Sequence, residues 1–149
     1  MTEIRFYHME RSPLEQTLPA LVTKALSIDH KIMIKTPDEK SRESLNAHLW
    51  TFAPNSFLPH GSTKDGNPDH QPVWLTDKDE NENAADLLIL TGGTTHDDLG
   101  QFKLVCEMLN GHDTDAIQAA RARWKTYKDE GYDITYWQQG QKGWEKKAG

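Results

Sequence analysis

In the stretch AIQAARARWKTYKDEGYDITYW, residues 116–137, Arg121, Lys125 and Lys128 recur at steps of four and then three. On an α-helix those steps place three cations in one stripe. Ile117, Ala120, Trp124 and Tyr127 mark an adjoining apolar stripe that would pack on a sheet, and Trp124 stands on the boundary between the two. Arg123 falls outside both and is read as solvated. A row of cations bordered by an indole suits a short acidic peptide with a hydrophobic anchor and a free carboxylate. Arginine forks onto a carboxylate, whereas lysine supplies a mobile point charge. Two other readings stay open: stacking of single-stranded nucleic acid on Trp124, and a C-terminal helix whose basic residues merely complement its dipole.

Other chemistry-bearing residues are weaker. LTGGTTHDDLG (90–100) has paired glycines but lacks the Gly-Lys-Ser/Thr that would hold phosphate and magnesium, so it reads as a strand-to-helix turn. The first strand is followed by HMERSPLE, which has no glycine and therefore no dinucleotide fingerprint. His96 with Asp97 and Asp98, and the looser pair His60 and His70, lack the spacing of a zinc site. Cys106 lies among apolar residues, where a buried, unreactive thiol is expected. With no nucleophile elbow and no recognisable carboxylate pair, neither catalysis nor a cofactor or metal is expected.

Charge sharpens the contrast. The 149 residues carry a net −6, with 10 Lys/Arg against 19 Asp/Glu in residues 1–120 (net −9) and 7 against 4 in residues 121–149 (net +3). An acidic body repels a long polyanion, while one basic patch can still attract a short acidic ligand. The length fits one domain with a sizeable core. There is no apolar run of about 18 residues for a membrane helix. The start, MTEIRFYHMERS, does not read as a signal peptide, and a lone cysteine excludes an internal disulfide framework. A cytoplasmic setting is expected.

The elements that must position the basic helix follow from period. Residues 3–9 alternate as a strand, and SPLE (12–15) opens a helix with Ser12 as cap and the stripe Leu14, Leu18, Leu21, Val22, Ala25, Leu26. HKIMIKT (30–36) predicts a second strand. TPDE (36–39) then repeats the capping pattern, with Thr36 in the cap position, before a helix bearing Leu45, Leu49 and Trp50. TFAPNSFLPHGSTKDGNPDH (51–70) is an ordered loop, QPVWLT (71–76) a short strand, DKDENEN (77–83) an acidic turn and ADLLILT (85–91) a central strand. A helix is expected over 98–110, stacking Phe102, Val105, Cys106 and Leu109, and the last helix over 114–130 with Gly131 at its cap. The fold class is α/β: a single three-layer Rossmann-like domain, a largely parallel sheet with helices on both faces and no nucleotide-binding loop.

RFYHM, LNAHLWTF, SFLPHG, QPVWLT and ARARWKTYKDEGY occur in the order found in the chi subunit of bacterial DNA polymerase III. The chain resembles that family from Arg5 to about Trp137. The resemblance implies a non-catalytic replisome adaptor that is a monomer alone and a heterodimer with the psi subunit of the clamp loader. It also implies a grip on the acidic C-terminal tail of single-stranded DNA-binding protein, with no strong direct DNA binding. Carried over, Arg121, Trp124, Lys125, Lys128 and Gly131 form the tail-binding set, and Phe57, Leu58, Pro59 and His60 the contact to psi. Phe57 has a plainer reading as a loop anchor filling the core. Trp124 is larger than the tyrosine associated with its position. The chi-like domain is placed at 1–137. Residues 138–149 form a tail, read either as disordered or as extending the basic groove through Trp144 and Lys146.

Overall fold

Strand β1 (Glu3–Met9) alternates as expected, sending Ile4, Phe6 and His8 to one face and Arg5, Tyr7 and Met9 to the other. The computed structural model describes residues 2–10, 14–28, 30–51, 61–62, 73–79, 84–140 and 143–148. Ser12 and Pro13, the acidic stretch 80–83 and the loop carrying Phe57, Leu58, Pro59, His60 and His70 lie outside them, as do the side chains of Leu26, Leu49 and Trp50.

Helix α1 (Leu14–Ser27) buries Leu18, Val22 and Ala25, the stripe read from its period. Strand β2 (Ile32–Lys35) is followed by α2 (Glu39–Thr51). That helix is capped by Asp38, whose carboxylate accepts from Ser41 N at 2.7 Å, and not by Thr36. The Thr36 hydroxyl is buried and donates instead to Asp38 O at 3.0 Å. Short β3 (Gly61–Ser62), β4 (Val73–Thr76) and β5 (Leu87–Leu90) follow.

Residues 98–110 are where sequence and structure part. Leu99–Gln101 make a single 3₁₀ turn and Leu104–Asn110 form strand β6, not a helix. The cause is burial on both faces. Val105 and Leu109 pack with the layer that holds Phe6, while Cys106 and Met108 pack with the layer of α1. A strand flanked on both sides in a parallel sheet is apolar almost throughout, which erases the period-two signal. Cys106 is thus buried in a central strand, where desolvation pushes its thiol up to about 12.

Helix α3 (Thr114–Asp129) is capped by Asp113, which accepts from Asp115 N and Ala116 N. It leads to β7 (Asp133–Gly140) and β8 (Gly143–Ala148). The eight strands lie in the order β3-β4-β2-β5-β6-β1-β7-β8, parallel except for the β7–β8 hairpin. From β1 the chain crosses to β2 over α1, and from β6 it crosses β1 to β7 over α3. The two crossovers run in opposite directions, and their helices lie on opposite faces, as right-handed connections require. This is the expected three-layer α/β domain.

The boundary expected at 137 falls inside β7, and residues 143–148 are sheet. Trp144 pairs with Gln139 and Lys146 with Trp137, which puts both on the α1 face, opposite the basic helix. Trp144 packs edge-on against Tyr7 at 4.9 Å. A residue two places along a strand returns to the same face, so neither can extend a groove on the other one.

One buried charge pair ties the α3 layer to the sheet. Glu107, 1% exposed in the middle of β6, receives the guanidinium of Arg123, and its second carboxylate oxygen has no hydrogen-bond partner. Arg123 is therefore a structural cation and not a solvated one. Burial raises the Glu107 pKa, and Arg123 works against that rise. Arg123→Ala is expected to destabilise the fold by about 3–5 kcal/mol, because an uncompensated carboxylate remains buried. A carboxyl raised in the folded state favours folding at low pH and is lost as pH rises through its folded pKa. The deficit should deepen from about pH 4.3 toward neutrality. Urea unfolding across pH checks both, with Arg123→Leu/Glu107→Leu recovering most of the loss.

Candidate functional site

The cationic stripe and the sheet meet at the carboxyl end of β1 and β7. In register, Phe6 pairs with Tyr136 and His8 with Gln138, so four side chains share the α3 face. Ala120 and Tyr127 of α3 are buried on this face, and Ile117 and Trp124 pack half-buried beside them. The apolar stripe read from the sequence is the seat of the helix.

Trp124 is held by geometry. Its ring meets Phe6 edge-on at 5.6 Å and Tyr136 edge-on at 6.1 Å, while Tyr136 stacks on Phe6 at 6.2 Å and 15° between planes. Offset and edge-on arrangements of this kind add to simple burial. Beside them lies an open groove of about 400 Å³, lined by His8, Ile117, Arg121, Trp124, Tyr136 and Gln138.

Arg121 therefore stands at an apolar groove with an indole and a phenol beside it. Lys125 and Lys128 are exposed on the adjoining stripe and do not line the groove. Among the described residues, the side chains of Arg121, Lys125 and Lys128 make no hydrogen bond or ion pair. Gly131 has φ +90° just past the helix cap, the left-handed turn that ends α3, and it too is outside the groove lining.

The opposite wall was not identified from sequence. Tyr136 and Gln138 come from β7, and His8 is the polar member of an otherwise apolar strand face. That break in the Ile4, Phe6, His8 alternation was the available signal. His8 is 9% exposed, with its Nδ1 hydrogen-bonded to the Tyr136 hydroxyl. Its Nε2 lies 3.0 Å from a Glu10 carboxylate oxygen, yet without hydrogen-bond alignment. Burial raises the Tyr136 phenol, with Arg121 opposing and Glu10 adding to the rise. Glu10 is held below the usual carboxylate range chiefly by a hydrogen bond from Gln138 Nε2 at 2.8 Å, with His8 and His112 contributing.

Two other places invite chemistry. The paired glycines after β5 adopt φ +64° and +78°, and a Cβ on Gly92 would meet Pro37 at 2.8 Å, so turn geometry and a close approach account for them. Asp79, His96 and Asp97 bring ligand-type atoms within 4.8 Å of one another. Lys35 already bonds Asp79 and Thr95 O, and His96 Nδ1 accepts from Asp98 N at 3.0 Å. One carboxylate of that cluster, Asp79, is thus already paired with a lysine.

Gly111 permits the His8 arrangement, since a Cβ there would lie 2.4 Å from the imidazole and 2.6 Å from Met9 O. Gly111→Ala should destabilise the protein by about 1–3 kcal/mol, as forced overpacking does. It should also move His8, which would be seen as a shifted imidazole resonance alongside the urea midpoint.

Comparison with known proteins points to one family. The family described as DNA polymerase III chi subunit, HolC, matches residues 1–135. A probable DNA polymerase III subunit chi of Rickettsia prowazekii is 33% identical over 94 residues, 63% of this chain and 57% of that protein. The match thus spans little more than half of that relative's length. DNA polymerase III subunit chi of Pseudomonas aeruginosa is 28% identical over 138 residues, covering 90% of this chain and 94% of that one. The Escherichia coli subunit chi is 25% identical over 124 residues, with 83% and 84% covered. The chain belongs to the DNA polymerase III chi subunit family, a family of DNA replication.

Proposed function

We propose that this protein is a non-catalytic adaptor of the replisome, which holds the acidic C-terminal tail of single-stranded DNA-binding protein in the groove between α3 and β7. The observation that carries the reading is the unpaired Arg121 beside an apolar groove walled by Trp124 and Tyr136. A tail of aspartates ending in phenylalanine and a free carboxylate has the complementary chemistry. The ring enters the groove, the terminal carboxylate meets Arg121, and upstream aspartates run past Lys125 and Lys128.

The net −6 of the chain supports a peptide over a nucleic acid, because a long polyanion would be repelled by most of the surface. Attachment to the clamp loader is assigned to the psi subunit through Phe57, Leu58, Pro59 and His60, following the family resemblance. The chain would then work in the cytoplasm as a heterodimer with psi, without a cofactor. No helix among the described residues is long and apolar enough to cross a membrane.

Titration with a labelled peptide copying the tail should give saturable binding. Arg121→Ala and Lys125→Ala should each weaken it, Arg121→Ala by roughly tenfold or more, as expected when a charge-assisted hydrogen bond is lost. A single-stranded oligonucleotide should bind little at moderate salt. Tight oligonucleotide binding with no peptide binding would replace the adaptor by a nucleic-acid binder.

A further inference from the structure

We propose that the α1 face of the sheet carries a second docking groove, between α1 and the β7–β8 hairpin, and that it takes an acidic amphipathic helix of a partner protein. The inference is independent of the tail-binding reading, because the residues it uses lie on the face opposite α3.

The sheet outruns its helices here. On this face α2 packs over β3 and β4 with α1 beside it, whereas α3 lies on the other face. The hairpin closes the far end of the sheet, so among the described residues no helix lies over β8 on this side. What remains is an open groove of about 600 Å³. Tyr7 and Trp137, paired in register across β1 and β7, form its floor, and Trp144 of β8 is its outer wall. Both indoles are only half-buried. The inner wall is the flank of α1, where Thr17, Ala20, Leu21 and Lys24 follow helical spacing.

Those walls fit a helix. Sheet faces in layered α/β domains are covered by helices. Ala20 is small and exposed, so a second helix can lie within about 8–10 Å of the α1 axis. An added strand fits less well. The outermost strand, β8, carries Glu145, Lys146 and Lys147, charges of the kind that keep sheet edges from pairing.

Charge names the polar side of that helix. Lys24 lines the groove from α1, and Lys146 stands opposite Trp137 in β8, on the same face. Both are exposed, and among the described residues neither side chain makes a hydrogen bond or ion pair. Arg5, which also lines the groove, is already held by Glu3 at 2.6 Å. Two unpaired ammonium groups on either side of an aromatic floor suit carboxylates on both shoulders of an amphipathic helix, with its apolar stripe against the indoles. In a chain of net −6 they are too few for the phosphate row of a nucleic acid.

The test is an NMR titration of the full chain with two lactam-bridged amphipathic peptides of about 15 residues, bridged because isolated helices of that length are marginal. They share one Leu/Ala stripe and carry Glu or Lys on the polar side. The Glu peptide should saturate below about 1 mM and shift the Trp137 and Trp144 indole resonances while leaving that of Trp124 in place. The Lys peptide should not bind. Lys24→Glu should weaken the Glu peptide roughly tenfold or more. Ala20→Glu, at an exposed helical position, should do the same by filling the groove and pairing with Lys24. Arg121→Ala, on the other face, should change nothing.

Equal binding of both peptides would overturn the acidic occupant. No binding of either, or binding that ignores Lys24→Glu and Ala20→Glu, would overturn the site. A single-stranded oligonucleotide that shifts Trp137 and Trp144 would give the groove to nucleic acid, and a dimer in sedimentation that Ala20→Glu dissociates would give it to a second copy. Either result would overturn the helix. None of these outcomes bears on tail binding at Arg121.

Discussion

The seating of α3 on the sheet is the interaction from which the surface chemistry follows. Phe6, buried in β1, is the common contact: Trp124, Tyr127 and Tyr136 all lie within about 6 Å of its ring centre. Ala120 lets the helix come close, and the Arg123–Glu107 pair pins its rotation about its own axis. A helix turned by one residue would swing Arg121 and Trp124 through about 100°, away from β7. The apolar cluster supplies most of the adhesion, at about 1.5–3 kcal/mol for each large side chain fully buried. The ion pair contributes registry more than stability, because desolvating a carboxylate offsets much of the Coulomb gain.

The same arrangement explains how an acidic protein can present a cationic site. Arg123 is spent inside on Glu107, Lys35 on Asp79, and Arg42 on Asp77 and Glu43. Cations packed against the sheet or its loops are consumed by carboxylates, whereas those on the outer stripe of α3 are not. Short-range attraction survives there, since charges more than about 10 Å away are largely screened at ordinary salt. The α1 and α3 crossovers also lie on opposite faces of the open sheet, so the groove sits at the carboxyl end of strands near the reversal. Ligand sites in folds of this type concentrate there.

Family membership connects the chain to DNA replication, and most of the groove lies inside the matched residues. The family match spans most of the chain, and the groove at α3 is built from residues within it, apart from Tyr136 and Gln138, which lie just beyond residue 135. The hairpin that closes the chain buttresses β7 from the opposite face through Trp144 and Tyr7. One wall of the groove is therefore supported by residues past the matched region.

Local sequence was enough for α3 and its stripes, because every contact that defines them repeats at helical spacing on one element. It was enough for β1, β2, β4 and β5 and for the glycine turn at Gly131, but the cap at Asp113 was not read from it. It failed at β6, where burial on both faces hides the period and Val105, Cys106 and Leu109 fit a helix equally well. It failed at Arg123, because the carboxylate that claims it lies sixteen residues away in a strand that had been misassigned. For the tail it left a disordered end beside a groove extension through Trp144 and Lys146, because nothing local says which face of the sheet a returning strand presents. The second wall of the site, His8 with Tyr136 and Gln138, exists only once β1 and β7 are parallel neighbours. Residue types and helical spacing determined which side chains α3 turns to the sheet and which cations it leaves on its outer stripe. The pairing of strands distant in sequence decided the shape of the groove, and non-local hydrogen bonding sets that pairing.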